Sequence, residues 1–220
     1  MNTVVKNVAI VVAHPDDETL WTGGTLIDHP GWNVFIGCLC RKKDAERAEK
    51  FGKVLDHFGA KGKMEDLDDG PEQKPLPEKL VQQKTIKLLP HKHFDILITH
   101  SPDGEYTRHR RHEEASKAVI KLWHSGKIQA KELWLFAYED GNRMYFPRAI
   151  TTGVSCTKLS KATWQHKYDI ITKIYGFDLD SWEAMTTPKF EAFRKFVKPE
   201  EALELLTVLE GRLDESTSII

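Results

Sequence analysis

Short, almost unbroken apolar runs separated by helical patterns constrain this chain more than any other feature. "VKNVAIVVA" (residues 5–13), "GWNVFIGCLC" (31–40) and "FDILITH" (94–100) lack the apolar–polar alternation of a strand with one wet face. Each therefore reads as a parallel strand buried on both faces. Between them, "KDAERAEKFGKVLDHFGA" keeps Ala45, Ala48, Phe51, Leu55 and Phe58 at three- and four-residue spacings and stops at Gly59, which predicts a helix. "EKLVQQKTIKLLP" and "HEEASKAVIKLWHSG" predict two more helices, and "KMEDL" and "KELWLFAYED" two more strands. Strands alternating with helices imply an α/β fold. The expected form is a Rossmann-like, doubly wound, mostly parallel sheet of order 3-2-1-4-5, with helices on both faces and right-handed crossovers. The pattern weakens after Gly141, where "NRMYFPRAITTGVSC" reads as extended and "SKATWQHKYDIITKIYG" and "EALELLTVLEGRL" as helical. No repeat or linker interrupts the chain. A single domain over residues 1–220 is expected, with a core at 1–140 and a C-terminal extension at 141–220 that shapes the substrate site.

Two of the apolar runs end abruptly in ionisable residues. His14, Asp16, Asp17 and Glu18 follow the first, and burying such a group is costly unless something neutralises or coordinates it. After the strand at 94–99 come His109 and His112, three apart where a helix begins, so both imidazoles share one helix face. In a 3-2-1-4-5 sheet, strands 1 and 4 are neighbours where the order reverses, and ligands bind there beyond the strands' carboxyl ends. The topology thus brings the clusters together across 95 positions of sequence, from His14 to His109. Two histidines and one carboxylate are a common ligand set for catalytic zinc, with a position left for water. His14, Asp17 and His112 could be that set. Asp16 and His109 then remain for proton transfer and for stabilising an oxyanion. Successive side chains of an extended segment point to opposite sides, so only one of the adjacent aspartates is expected to meet the metal.

Composition narrows the partners. Lys and Arg number 32 against 33 Asp and Glu, so no basic footprint for nucleic acid is present. The run Val8–Ala13 is far shorter than the ~20 residues of a membrane span and ends in charges rather than a cleavage site. No integral membrane segment and no signal peptide are expected, and a cytoplasmic location fits. Cys38, Cys40 and Cys156 form no disulfide framework and read as reduced, packed thiols, with Cys38 and Cys40 on the same side of their strand. His100 and Trp21 are placed to line the crevice. The Trp- and Phe-rich C-terminal region offers material for a homo-oligomer interface.

"AHPDDE" after the first strand, with a later His-x-x-His, resembles the zinc-dependent de-N-acetylases of the LmbE-like family, also called the PIG-L family, over residues 6–140. The resemblance implies one Zn2+ per chain bound by His14, Asp17 and His112, with Asp16 as general base and His109 stabilising the oxyanion. It also implies a substrate-contacting arginine in the helix after strand 2, which counting back from Gly59 places at Arg47. The implied enzyme is a hydrolase of linear amide C–N bonds that removes acetyl from a small N-acetylated amino sugar, such as N-acetylglucosamine, or its glycoside. The second motif departs from the family's His-Pro-Asp-His, reading His109-Arg110-Arg111-His112. A cation beside His109 disfavours its imidazolium form. That departure supports the competing reading, a non-catalytic metal- or ligand-binding α/β protein that keeps the pocket.

Overall fold

The computed structural model describes residues 5–91 and 93–217. Strands β1 (Asn7–Val12), β2 (Asn33–Cys40), β3 (Lys61–Leu67), β4 (His93–Thr99) and β5 (Gln129–Phe136) alternate with helices α1 (Asp17–Asp28), α2 (Ala45–Phe58), α3 (Glu78–Leu88) and α4 (Arg110–His124). A short ribbon of β6 (Tyr138–Glu139) and β7 (Arg148–Ala149) follows, then β8 (Ser155–Lys158) and α5 (Lys161–Asp169). A π-helical turn (Ile170–Ile174), α6 (Trp182–Thr186), β9 (Phe190–Phe196) and α7 (Pro199–Thr217) complete the order.

The main sheet runs β3-β2-β1-β4-β5-β9-β8. Its first five strands are parallel, in the order 3-2-1-4-5 that the apolar runs predict. Successive side chains of a strand face opposite ways, so β1 feeds two cores. Val8, Ile10 and Val12 pack with Leu20, Trp21, Phe51 and Val54 under α1 and α2. Ala9 and Val11 pack with Val81, Leu88, Ala115 and Val119 under α3 and α4. The α2 stop is as read: Gly59 takes the left-handed conformation at φ 61°. No helix among the described residues is long and apolar enough to cross a membrane.

Three local readings change. Cys38 and Cys40 lie in opposite cores because the β2–β3 register shifts between them, which breaks the expected same-side alternation. The segment after residue 141 also completes the sheet, with β9 antiparallel to β5 and β8 antiparallel to β9. And α1 is tied to that addition in mid-helix. Glu191 of β9, itself paired with buried Lys167 at 2.7 Å, accepts the Gly24 and Thr25 N–H groups at 2.7 Å each. The Tyr138 hydroxyl donates to the Trp21 carbonyl at 2.9 Å. A Cβ at Gly24 would stand 2.5 Å from the Leu159 methyl carbons and 3.0 Å from Glu191 Oε1, so any larger residue there would have to displace those side chains. The C-terminal extension therefore fixes the helix whose first turn carries Asp16 and Asp17.

Candidate metal and catalytic site

The carboxyl ends of β1 and β4 are adjacent, as Val11 pairs with Thr99, and the chain turns sharply after each. Asp16 sits at φ 119°, ψ −31°, at the N-terminal boundary of α1. A non-glycine residue there carries strain of about 1–3 kcal/mol and persists only when over-determined. Here Glu18 Oε2 accepts the Asp16 N–H at 3.1 Å, and the Asp16 carbonyl accepts from Thr19 and Leu20 at 2.9 and 2.8 Å. Glu18 is itself held by the hydroxyls of Thr19 at 2.6 Å and Tyr175 at 2.8 Å. The two aspartates diverge because of this turn and the helix start, not because of strand alternation.

Asp17 turns inward. Its Oδ2 stands 3.2 Å from His14 Nδ1 and 3.4 Å from His112 Nε2, and those two nitrogens are 3.3 Å apart. Bonds of 2.0–2.1 Å at tetrahedral angles separate donor atoms by about 3.3–3.4 Å, so this triangle fits a zinc-sized ion. The far nitrogen of each histidine faces a carboxylate, hydrogen-bonded for His112 and within ion-pair distance for His14. His112 Nδ1 lies 2.6 Å from Glu105 Oε2, and His14 Nε2 lies 3.2 Å from Asp69 Oδ1. Trp21 Nε1 donates to the other Asp17 oxygen at 3.1 Å. His100 supports the cluster without joining it. Its Nε2 accepts the Ala13 N–H at 2.9 Å, leaving Nδ1–H for Glu105 at 2.9 Å, so the ring is neutral. His109 is looser, with nitrogens within 4.8 Å of those of His14 and His112.

The charges follow from this packing. Burial alone would raise the Asp17 carboxyl, yet His112 and His14 hold it well below the usual range. Burial likewise opposes protonation of His112, but Asp17 and Glu105 outweigh it and lift the ring to about 10. Two carboxylates thus draw a positive charge to the place where the three donor atoms meet. Asp16 behaves oppositely. Burial and the Asp17 charge push its carboxyl well above the ordinary value, and Arg47, 3.0 Å from its Oδ2, pulls back. The Arg47 guanidinium also stacks 4.8 Å over Phe177. Burial, then His112 and His14, hold His109 near 3. It is therefore a neutral imidazole, and its buried Nδ1 has no partner among the described residues.

The five catalytic and metal candidates thus lie together; His14, Asp16, Asp17 and His109 line a cavity of about 320 Å³ with Arg47, Tyr106, Trp182 and Glu183, and His112 is fully buried outside that lining. The Arg111 expectation is corrected. His109 is kept neutral by burial and by neighbouring histidines, while the Arg111 guanidinium is spent elsewhere. It donates to the Asp68 carbonyl at 2.5 Å, the Lys74 carbonyl at 2.7 Å and Glu114 at 2.5 Å. This buried arginine pins the loop that carries Asp69 to His14. Sequence reading missed Asp69 and Glu105, since each is one acidic residue among 33 with no marked spacing.

No family model matches the chain. An uncharacterized protein of Acanthamoeba polyphaga mimivirus is 24% identical over 144 residues, 59% of this chain and 61% of that protein. The chain thus spans less than two thirds of that relative's length. Among solved structures, N,N'-diacetylchitobiose deacetylase from Pyrococcus horikoshii superposes with a TM-score of 0.64 at 15% identity, over 87% of this chain and 84% of that one. A teicoplanin deacetylase solved in a zinc-inhibited form superposes at 0.59 and 12% identity, over 82% and 88%. The 4-carboxy-2-hydroxymuconate hydratase of Pseudomonas putida does so at 0.56 and 18%, over 83% of each chain. The chain has the fold of the LmbE-like deacetylases, and that fold also carries a hydratase.

Proposed function

We propose that this chain is a metal-dependent de-N-acetylase that hydrolyses the acetamide of an N-acetylated amino sugar or its glycoside. The observation that carries the reading is the triangle of His14 Nδ1, Asp17 Oδ2 and His112 Nε2, with sides of 3.2–3.4 Å. Asp69 and Glu105 behind it orient the two imidazoles. One zinc ion held by these three residues would supply a Lewis acid and an acidified water, with a pKa lowered to about 7.

The remaining work falls to the chain's own groups. Asp16 lies outside the triangle, and its raised carboxyl suits a base that accepts a proton from water and passes it to the leaving nitrogen. Arg47 fixes the Asp16 oxygen and faces the same cavity, where it can also meet the sugar. Neutral His109 offers an N–H to the amide oxygen as negative charge develops there. In balance, the acetamide C–N bond breaks, the water oxygen joins the acetyl carbon, and acetate and the free amine leave. Arg111 no longer favours a non-catalytic pocket, because its guanidinium is committed to Asp68, Lys74 and Glu114.

A hydratase shares the fold, so the test must read the bond broken. Acetate release from a panel of N-acetylglucosaminides is expected, to be abolished by chelator and restored by added zinc. A panel without acetate release under any metal condition refutes the reading.

A further inference from the structure

Beside the catalytic cavity lies a second, larger hollow of about 1070 Å³, built by the β6–β7 ribbon, α6 and the start of β9. Tyr106 and Trp182 line both spaces, with ring centroids 4.7 Å apart. Tyr106 also stands 5.8 Å from the His109 ring and 5.4 Å from the His112 ring. The hollow therefore shares a wall with the reacting site.

Its wall is unusually apolar for an exposed surface. Of nine exposed large hydrophobic residues among those described, five line it: Met144, Phe146, Trp182, Met185 and Phe190. Scattered exposed hydrophobics need no explanation, but a contiguous patch marks a binding surface. Some polar groups of the wall are held locally, while the Thr186 hydroxyl is buried without a hydrogen-bond partner among the described residues. Asp140, its only carboxylate, accepts the Thr107 N–H at 2.8 Å and the Thr107 hydroxyl at 2.6 Å. Arg143 Nε donates to the Thr107 carbonyl at 2.8 Å, and the Tyr145 hydroxyl donates to Glu139 at 3.1 Å. The Arg148 guanidinium lies 4.3 Å over the Tyr145 ring. An apolar group gains by covering these five side chains, whereas the hydroxyls of a second sugar ring would lose water against them.

Substrate chemistry decides what reaches the hollow. In a 2-acetamido sugar the anomeric carbon is bonded to the carbon that bears the nitrogen. Whatever the anomeric oxygen carries must therefore leave the 320 Å³ catalytic cavity close to the acetamide. We infer that the groove between residues 144–149 and 182–190 receives an apolar aglycone, so that the substrate is an N-acetyl amino sugar glycosidically linked to an apolar group rather than to a second sugar. The inference rests on the deacetylase reading for the neighbouring cavity, and Tyr106 and Trp182 are the shared wall between sugar and aglycone.

The test compares 4-methylumbelliferyl N-acetyl-β-glucosaminide with N,N'-diacetylchitobiose, following acetate release by zinc-loaded protein. Burying an apolar ring in the groove is expected to favour the aryl substrate roughly 10–100-fold in kcat/KM, chiefly through KM. Phe146→Ala and Met185→Ala are expected to bring that ratio toward one. 4-Methylumbelliferyl β-glucoside has no acetamide and reports the groove alone. It is expected to bind the wild-type protein by calorimetry, and more weakly to either variant. Binding of this probe with no acetate release from any substrate would uphold the groove and overturn the deacetylase reading. Acetate release with equal kcat/KM for the two substrates and no probe binding would overturn the groove alone. So would a concentration-dependent dimer that Phe146→Ala dissociates without changing the ratio, because a second copy of the chain would then be the occupant.

Discussion

The polar cluster at the ends of β1 and β4 and the apolar groove beside it are built on opposite plans. In the cluster most groups are backed by another: the His112 ring by Glu105, the Asp17 carboxylate by the Trp21 N–H and the Asp16 backbone by Glu18, with Asp69 3.2 Å from His14 Nε2. In the groove, Met144 and Met185 stand mostly in solvent, on flexible unbranched side chains. The cluster holds its groups with backbone strain at Asp16 and with buried charge. The groove uses neither and can adapt to what it meets. In the reading proposed here, chemistry belongs where the parallel core ends and selectivity to the part of the chain added to it.

That contrast can be broken most severely at a ligand. His112→Ala removes one of three proposed donors and takes from Glu105 one of its two histidine partners. Cation binding and acetate release are both expected to fall to background, and retained activity would dissolve the cluster's role. Next in size, Asp16→Asn is expected to lower the rate about 10²–10⁴-fold while the cation stays bound, as befits a proton carrier outside the triangle. Steady-state rates at saturating substrate check this.

The supporting carboxylates sharpen the comparison further. Asp69→Asn and Glu105→Gln should each weaken cation affinity about 10–100-fold in a chelator competition, since orienting partners typically contribute that much. An unchanged affinity would mean that the cluster is no more constrained than the groove. pH supplies a fourth check. With its pKa near 10 in the cation-free chain, His112 carries a proton at neutral pH and must lose it to become a ligand. Apparent cation affinity should therefore rise about tenfold per pH unit through the neutral range and flatten above about pH 10. An affinity that is flat with pH would show that His112 is not protonated in the cation-free chain. The smallest effect belongs to the groove, where Met144→Ala should change folding stability by less than about 0.5 kcal/mol, as surface substitutions do. Denaturant unfolding reads it.

What was legible in the sequence divides along the same line. The core order followed from β1, β2 and β4 because strands buried on both faces leave continuous apolar runs. The convergence of His14, Asp17, His109 and His112 followed from that order, since strands 1 and 4 must be neighbours. β9 was not legible. "FEAFRKF" carries Glu191, a fully buried carboxylate that looks like a surface residue until Lys167 and the α1 N–H groups are seen around it. Arg111 was misread for a related reason: a charged residue next to a histidine in sequence was taken to act on it, whereas its guanidinium reaches the Asp68–Lys74 loop. Long-range partners of buried charges leave no periodicity to detect.

The division of labour between two adjacent aspartates is the centre of the account, and elemental analysis of purified protein tests it directly. About one divalent cation per chain is expected in the wild type and in Asp16→Asn, and almost none in Asp17→Asn, because only Asp17 belongs to the proposed ligand set. Cation retained in Asp17→Asn and lost in Asp16→Asn would contradict it.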